Sequence, residues 1–181
     1  PGASEILGLE VSGRISAVGE AVTGFAPGDE VCALLTGGGY ATQVVAPAAQ
    51  VLPIPKGFSL KKAAALPEVY ATAWLNLYQE ADLRPGERVL LHAAGSGLGT
   101  TVIQIATAFG NPVFATAGDD EKLEVCRKLG ATGTWNRKNG SFVDAVKSWG
   151  GVDMVLDPVG GSYIKDDQKV LSADGRIVLI G

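Results

Sequence analysis

The sequence predicts an α/β protein in which a doubly wound parallel sheet follows a smaller all-β part. Three observations carry this reading. Residues 1–55 hold short β-branched segments cut by turn signals; from Ser59 the apolar spacing becomes helical; after Pro85 five apolar strands alternate with four amphipathic helices.

In the first part, strands are expected at Val11–Val18, Val31–Leu35 and Ala41–Val45. The turn signals between them are Val18-Gly19, Pro27-Gly28-Asp29 and Gly37-Gly38-Gly39. This describes part of a small barrel or sandwich. A helix should then start at an N-cap on Ser59 and run through Ala63–Ala65 to Trp74, Leu75, Leu77 and Tyr78. Beyond it, strands are expected at Arg88–Ala93, Pro112–Thr116, Thr132–Trp135, Val152–Asp157 and Arg176–Ile180. The helices between them carry Leu98, Val102, Ile105 and Phe109; Leu123, Cys126 and Leu129; Phe142, Val146 and Trp149; and Tyr163, Ile164 and Leu171. Apolar strands separated by helices imply a parallel sheet covered on both faces, the Rossmann arrangement. The domains read as 1–55 and 56–181, the second lacking its last strand and the first its beginning.

Composition narrows the functional classes. With 46% hydrophobic and 19% charged residues the chain is too apolar for disorder, and its net charge of −4 argues against a phosphate-backbone partner such as nucleic acid. No apolar run approaches the roughly 20 residues that span a bilayer. Cys32 and Cys126 are too few for a disulfide framework and form no C-x-x-C pair, which points to structural thiols in a reducing, cytoplasmic setting.

The chemistry concentrates in LLHAAGSGLGT, residues 90–100. This is the first strand-to-helix junction of the alternating part, where a doubly wound fold holds phosphates. Gly95, Gly97 and Gly99 sit two apart and cannot spell G-x-G-x-x-G. If the last glycine is set at Gly99, the first two positions fall on Ala94 and Ser96, both small enough for close backbone approach. Amides at the start of a helix beginning near Gly97, with Leu98 following, would face a pyrophosphate, and Ser96 adds a hydroxyl donor.

The end of the second strand, VFATAGDDEK, selects the cofactor. The position where an NAD enzyme carries an acid for the ribose hydroxyls is Ala117, followed by Gly118. Lys122 comes next and Arg137 lies just past the third strand, so two cations flank a site without its acid. That favours NADPH over NADH, opposed by Asp119 and Asp120 if their carboxylates turn inward. His92, the sole histidine, reads as a satisfied core residue.

Taken together, these stretches resemble the zinc-free quinone oxidoreductases, similar to zeta-crystallin, within the medium-chain dehydrogenase/reductase superfamily. PGASEILGLEVSGRISAVGEAVTGFAPGDEVCAL, GGGYATQVV, AAALPEVYATAWLNL, HAAGSGLGTTVIQIA, TAGDDEKL, LDPVGGSY and GRIVLIG match in order across the chain. The resemblance implies a partial GroES-like barrel before the Rossmann domain, NADPH as cofactor, a quinone or activated alkene as substrate, and a homodimer for the full-length protein. Zinc is not expected: Gly8-Leu9-Glu10 stands where zinc-dependent relatives carry G-H-E, and the interval between Val31 and Gly39 has no room for their four-cysteine lobe. The resemblance also puts Thr72 beside the nicotinamide and makes Tyr40 a candidate pocket wall. The family's substrate-side tyrosine and asparagine would precede Pro1. An enoyl reductase acting on unsaturated ketones or acyl thioesters, and a dinucleotide-binding module without catalysis, are the competing functions.

Overall fold

In the computed structural model, residues 4–180 are described; the first three residues of the expected barrel and the closing Gly181 lie outside the described residues. The chain divides into two compact units, residues 1–71 and 72–181.

The first unit is built on a three-stranded antiparallel sheet, β1 (Glu10–Arg14), β2 (Glu30–Leu34) and β3 (Val51–Pro53), in that order. β1 matches its expected strand in a shorter form and β2 matches its own shifted by one residue, with Glu10 opposite Leu34 and Arg14 opposite Glu30. The third expected strand is not one. Ala41–Val45 has β-branched composition but no ladder partner, and Val45 is 98% exposed. Strand propensity without a pairing edge or a buried face does not make a strand. The sheet is completed by Val51–Pro53, where Pro53 ends an edge strand and its missing N–H costs nothing.

Helix α1 (Leu60–Ala63) starts as expected, with Ser59 Oγ accepting from Lys62 N. It is short, because Pro67 cannot donate into a continuing helix. A new helix, α2 (Pro67–Trp74), begins there with proline in its first position, which suits a residue whose N–H would be an orphan. The expected single helix is therefore two. Glu10 Oε2 accepts from Glu68 N at 3.0 Å and so satisfies another of the orphan amides of α2. The helix continues as a π-helical turn over Leu75–Glu80, where Asn76 is buried and donates from Nδ2 to the Thr72 carbonyl.

The second unit contains a parallel five-stranded sheet in the order β6-β5-β4-β7-β8. Its strands are β4 (Val89–Leu91), β5 (Val113–Ala117), β6 (Gly133–Asn136), β7 (Val152–Asp157) and β8 (Leu171–Leu179). The helices between them are α3 (Gly97–Ala108), α4 (Asp120–Lys128), α5 (Val143–Trp149) and α6 (Ile164–Val170). Successive residues of β4 and β5 face opposite sides, β7 changes side at the irregularity between Val152 and Met154, and both sides are covered. Val89, Leu91, Val113, Ala115, Met154 and Leu156 pack with Val102, Ile103, Ala106 and Cys126. Leu90, Phe114, Val152 and Val155 pack with Phe142, Val146 and Val170. Leu171, expected on the last helix, instead opens β8 opposite Val152; the ladder then passes over Ser172–Gly175 before Arg176 pairs with Met154. Phe109 is not core but half-exposed, meeting Trp74 edge-on and Tyr78 at a tilt. Among the described residues no helix is long and apolar enough to cross a membrane.

β8 is anchored to the turn before β4 by Arg176, whose guanidinium meets both carboxylate oxygens of Glu87 and donates from Nε to the Ala81 carbonyl. Arg176, and then the backbone N–H of Arg84, hold the Glu87 carboxyl below its usual range against the opposing effect of burial. A carboxyl depressed in the folded state stabilises at pH values above its unfolded value, and that contribution is lost as pH falls through the folded value. Glu87→Gln should therefore cost about 1–2 kcal/mol at pH 7, intermediate between exposed and buried pairs. The loss should shrink as pH drops below about 4, as urea unfolding of both proteins across that range will show.

Candidate functional site

The strand order reverses between β4 and β7, and in open α/β sheets ligands sit beyond the C-terminal strand ends at that point. A cleft of about 280 Å³ lies at these ends, lined by Ala93, Gly95, Ser96, Thr116, Ala117, Gly118, Lys122, Arg137, Val159 and Tyr163. Of the sequence-derived candidates it gathers Ser96, Gly118, Lys122 and Arg137. Ala94, Gly97, Leu98 and Gly99 form the adjoining turn and helix start without lining the cleft. Thr72 lies in α2 and Tyr40 is 78% exposed in the first unit, both outside this lining.

The turn is shaped by one close approach. A Cβ on Gly99 would fall 2.6 Å from the Cα and carbonyl oxygen of Ala94, so only glycine lets α3 sit this near the strand end. Ala94 is buried and donates its N–H to the Thr116 carbonyl, which ties the turn to β5. Ala93 takes φ +50°, a left-handed conformation unfavourable for a residue with a Cβ by roughly 1 kcal/mol or more. Ser96 is the N-cap of α3, its Oγ accepting from Gly99 N at 3.0 Å, and the Ser96 carbonyl accepts from Thr100 N. Its hydroxyl hydrogen is not used in that bond. The N–H groups of Gly97 and Leu98 have no acceptor among the described residues, while the Leu98 side chain packs on the core.

Both cations lie across glycines. A Cβ on Gly95 would come within 2.8 Å of Lys122 Cδ, and one on Gly118 within 3.1 Å of Arg137 Nε. Asp119, the acid that threatened phosphate binding, is the N-cap of α4. Its Oδ1 accepts from Lys122 N at 2.8 Å and its Oδ2 lies 3.3 Å from Lys122 Nζ. The Lys122 N–H leads the effects that hold its carboxyl below the usual range. Asp120 accepts from Asn136 Nδ2. Arg137 has neither an ion-pair nor a hydrogen-bond partner among the described residues. Ala117 ends β5, buried, with no acid in its place.

Sequence reasoning did not find Thr116, Val159 or Tyr163. The signal for the last two was the Gly160-Gly161 pair in the loop after β7, at the switch point. Asp157 Oδ1 accepts from the N–H groups of Val159 and Gly160 and holds this loop in an Asx turn. His92 is a satisfied core residue, with both ring nitrogens hydrogen-bonded.

A GroES-like part followed by a doubly wound sheet is the architecture of a dehydrogenase or reductase. The family model for the alcohol dehydrogenase GroES-like domain matches residues 1–56, and that for the zinc-binding dehydrogenase matches residues 97–181. The chain belongs to the medium-chain dehydrogenase/reductase superfamily, with quinone-oxidoreductase-like relatives. It is 36% identical over 180 residues to the quinone oxidoreductase of Mus musculus, covering 96% of this chain and 54% of that protein. Among solved structures, the CurK enoyl reductase superposes with a TM-score of 0.89 at 39% identity, covering 97% of this chain and 54% of that one. The quinone oxidoreductase of Escherichia coli complexed with NADPH gives 0.87 at 28% identity, covering 97% and 55%. The chain thus spans about half the length of the curated relatives it matches.

The zinc named in one family description does not fit these residues. Leu9 offers no ligand atom, and among the described residues no group of three or more His, Cys, Asp or Glu side chains could hold a metal.

The two kinds of glycine contact separate experimentally. Gly99→Ala collides with backbone and should lower stability by about 1–3 kcal/mol. Gly118→Ala meets only the mobile end of Arg137 and should stay within about 0.5 kcal/mol. Denaturant midpoints of the two variants provide the comparison.

Proposed function

We propose that this chain is the cofactor-holding part of an NADPH-dependent, zinc-independent quinone oxidoreductase. The observation that carries the reading is an unpartnered Arg137 guanidinium lying over Gly118, beside a strand end where Ala117 replaces the acid of NAD enzymes. A 2′-phosphate supplies the missing partner for Arg137, and Lys122 is the second cation. The free N–H groups of Gly97 and Leu98 and the Ser96 hydroxyl hydrogen suit a pyrophosphate. Ala94 and Gly99 keep the turn close enough for that contact. Thr72 is assigned to the nicotinamide side and Tyr40 to the substrate pocket, as the resemblance implies. When bound, NADPH supplies a hydride to the substrate. The protein's part is to hold the two reactants in register without a metal.

An enoyl reductase is the second reading, favoured by the 39% identity to the CurK enoyl reductase. Oxidation of NADPH by 9,10-phenanthrenequinone against crotonyl-CoA separates the two. Faster turnover of the thioester would replace the quinone assignment, and tight NADPH binding with neither turnover would favour a non-catalytic dinucleotide-binding module.

Cofactor choice has its own test. A hydrogen-bonded charge pair is worth about 1.5–3 kcal/mol, so Arg137→Ala should weaken NADPH binding roughly tenfold or more and leave NADH nearly unchanged. Lys122→Ala should act in the same direction but less, because Asp119 already pairs with it. Asp119→Ser keeps a capping oxygen while removing the negative charge, and should improve NADPH relative to NADH. Calorimetric titration with both cofactors measures all three. Equal losses for NADH and NADPH in the cation variants would remove the basis of the NADPH assignment.

A further inference from the structure

His92 is the chain's only histidine, fully buried one residue past β4. Its Nδ1 is 2.8 Å from Thr116 Oγ1 and its Nε2 is 2.8 Å from Asp167 Oδ1. The rings of Phe142 and Tyr163 pack on the imidazole at centroid distances of 4.9 and 4.7 Å, so it cannot turn over without displacing them.

Asp167, on α6, is also fully buried, and its Oδ2 has no hydrogen-bond partner among the described residues. Among the described residues, His92 Nε2 is therefore the one side-chain donor to this carboxylate. Depriving a buried acceptor of its only donor carries the full desolvation cost, so in a neutral ring the proton belongs on Nε2. Nδ1 is then an acceptor, and the Thr116 hydroxyl must donate to it. Thr116 also lines the cleft. With its only hydrogen turned inward, its oxygen can meet a ligand only through a lone pair.

We propose that the Asp167–His92 pair is a positioning device that fixes Thr116 as a hydrogen-bond acceptor at the end of β5 for a ribose hydroxyl of the bound dinucleotide. The inference rests on the dinucleotide reading above and adds the group that receives the sugar. Thr116 directly precedes Ala117, where an acid would otherwise take the ribose. A neutral oxygen accepts a hydroxyl hydrogen without placing a negative charge beside a 2′-phosphate.

The test combines nitrogen NMR of the single imidazole with calorimetric titration of NADPH, using the full chain and the variants Thr116→Val and Thr116→Ser. The expected spectrum is a neutral ring protonated on Nε2, with and without NADPH. Thr116→Val should stay folded by circular dichroism and bind NADPH roughly five- to tenfold more weakly, and Thr116→Ser should recover most of that loss. A proton on Nδ1, in a neutral or a doubly protonated ring, overturns the proposal, and this measurement needs no variant. A folded Thr116→Val with unchanged affinity overturns it as well. If the unaltered chain binds neither NADPH nor NADH, the dinucleotide reading itself has failed, a result distinguishable because it appears before any substitution.

Discussion

The approach of α3 to the end of β4 governs the rest of the second unit. Gly99 lies so near the Ala94 backbone that no side chain fits between them, and Ala94 in turn donates to Thr116 on β5. This contact settles where α3 begins and therefore where its unpaired N–H groups point. It also accounts for the irregular glycine spacing. The position needing glycine for helix–strand packing is Gly99, because a Cβ there would meet the Ala94 backbone. Gly95 has a different purpose, giving the Lys122 stem a path across the turn.

The sequence made the doubly wound sheet legible because its signals are local and repeated. Each strand is a short apolar run, each helix carries its own stripe, and the alternation admits few topologies. β7 was read to the residue, and Ser59 was placed correctly as a cap. The first unit was harder. Ala41–Val45 has the composition of a strand, while Val51–Pro53 ends in proline, yet the second pairs with β2 and the first pairs with nothing described. Pairing is a long-range property that propensity does not contain.

The same distinction runs through the site. Ser96, Gly118, Lys122 and Arg137 could be found because their positions follow from counting along a known chain path, strand to turn to helix. Thr116 and Tyr163 were not, since the hydrogen bond that ties Thr116 to His92 and the place of Tyr163 beyond the loop after β7 are tertiary features. Asp167 is 75 residues from His92, and nothing in the local sequence around either one announces the other. A buried carboxylate with one donor is a constraint visible only in three dimensions.

The charges at the cleft show how the same residue types acquire different meanings from their backbone positions. Asp119 would be an argument against NADPH if its carboxylate faced the ligand, and the sequence alone allowed that. As the N-cap of α4 it receives the Lys122 N–H and lies beside Lys122 Nζ, so its charge is matched locally by the helix terminus and by the cation three residues on. Lys122 is consequently a compensated cation and Arg137 an uncompensated one. A planar guanidinium that is always charged and presents a fork of donors is also the better match for a phosphate's oxygens. Under the proposed NADPH reading, this asymmetry makes Arg137, rather than the lysine nearer in sequence to the glycine turn, the residue on which cofactor discrimination turns, with Asp119 setting how much Lys122 can add.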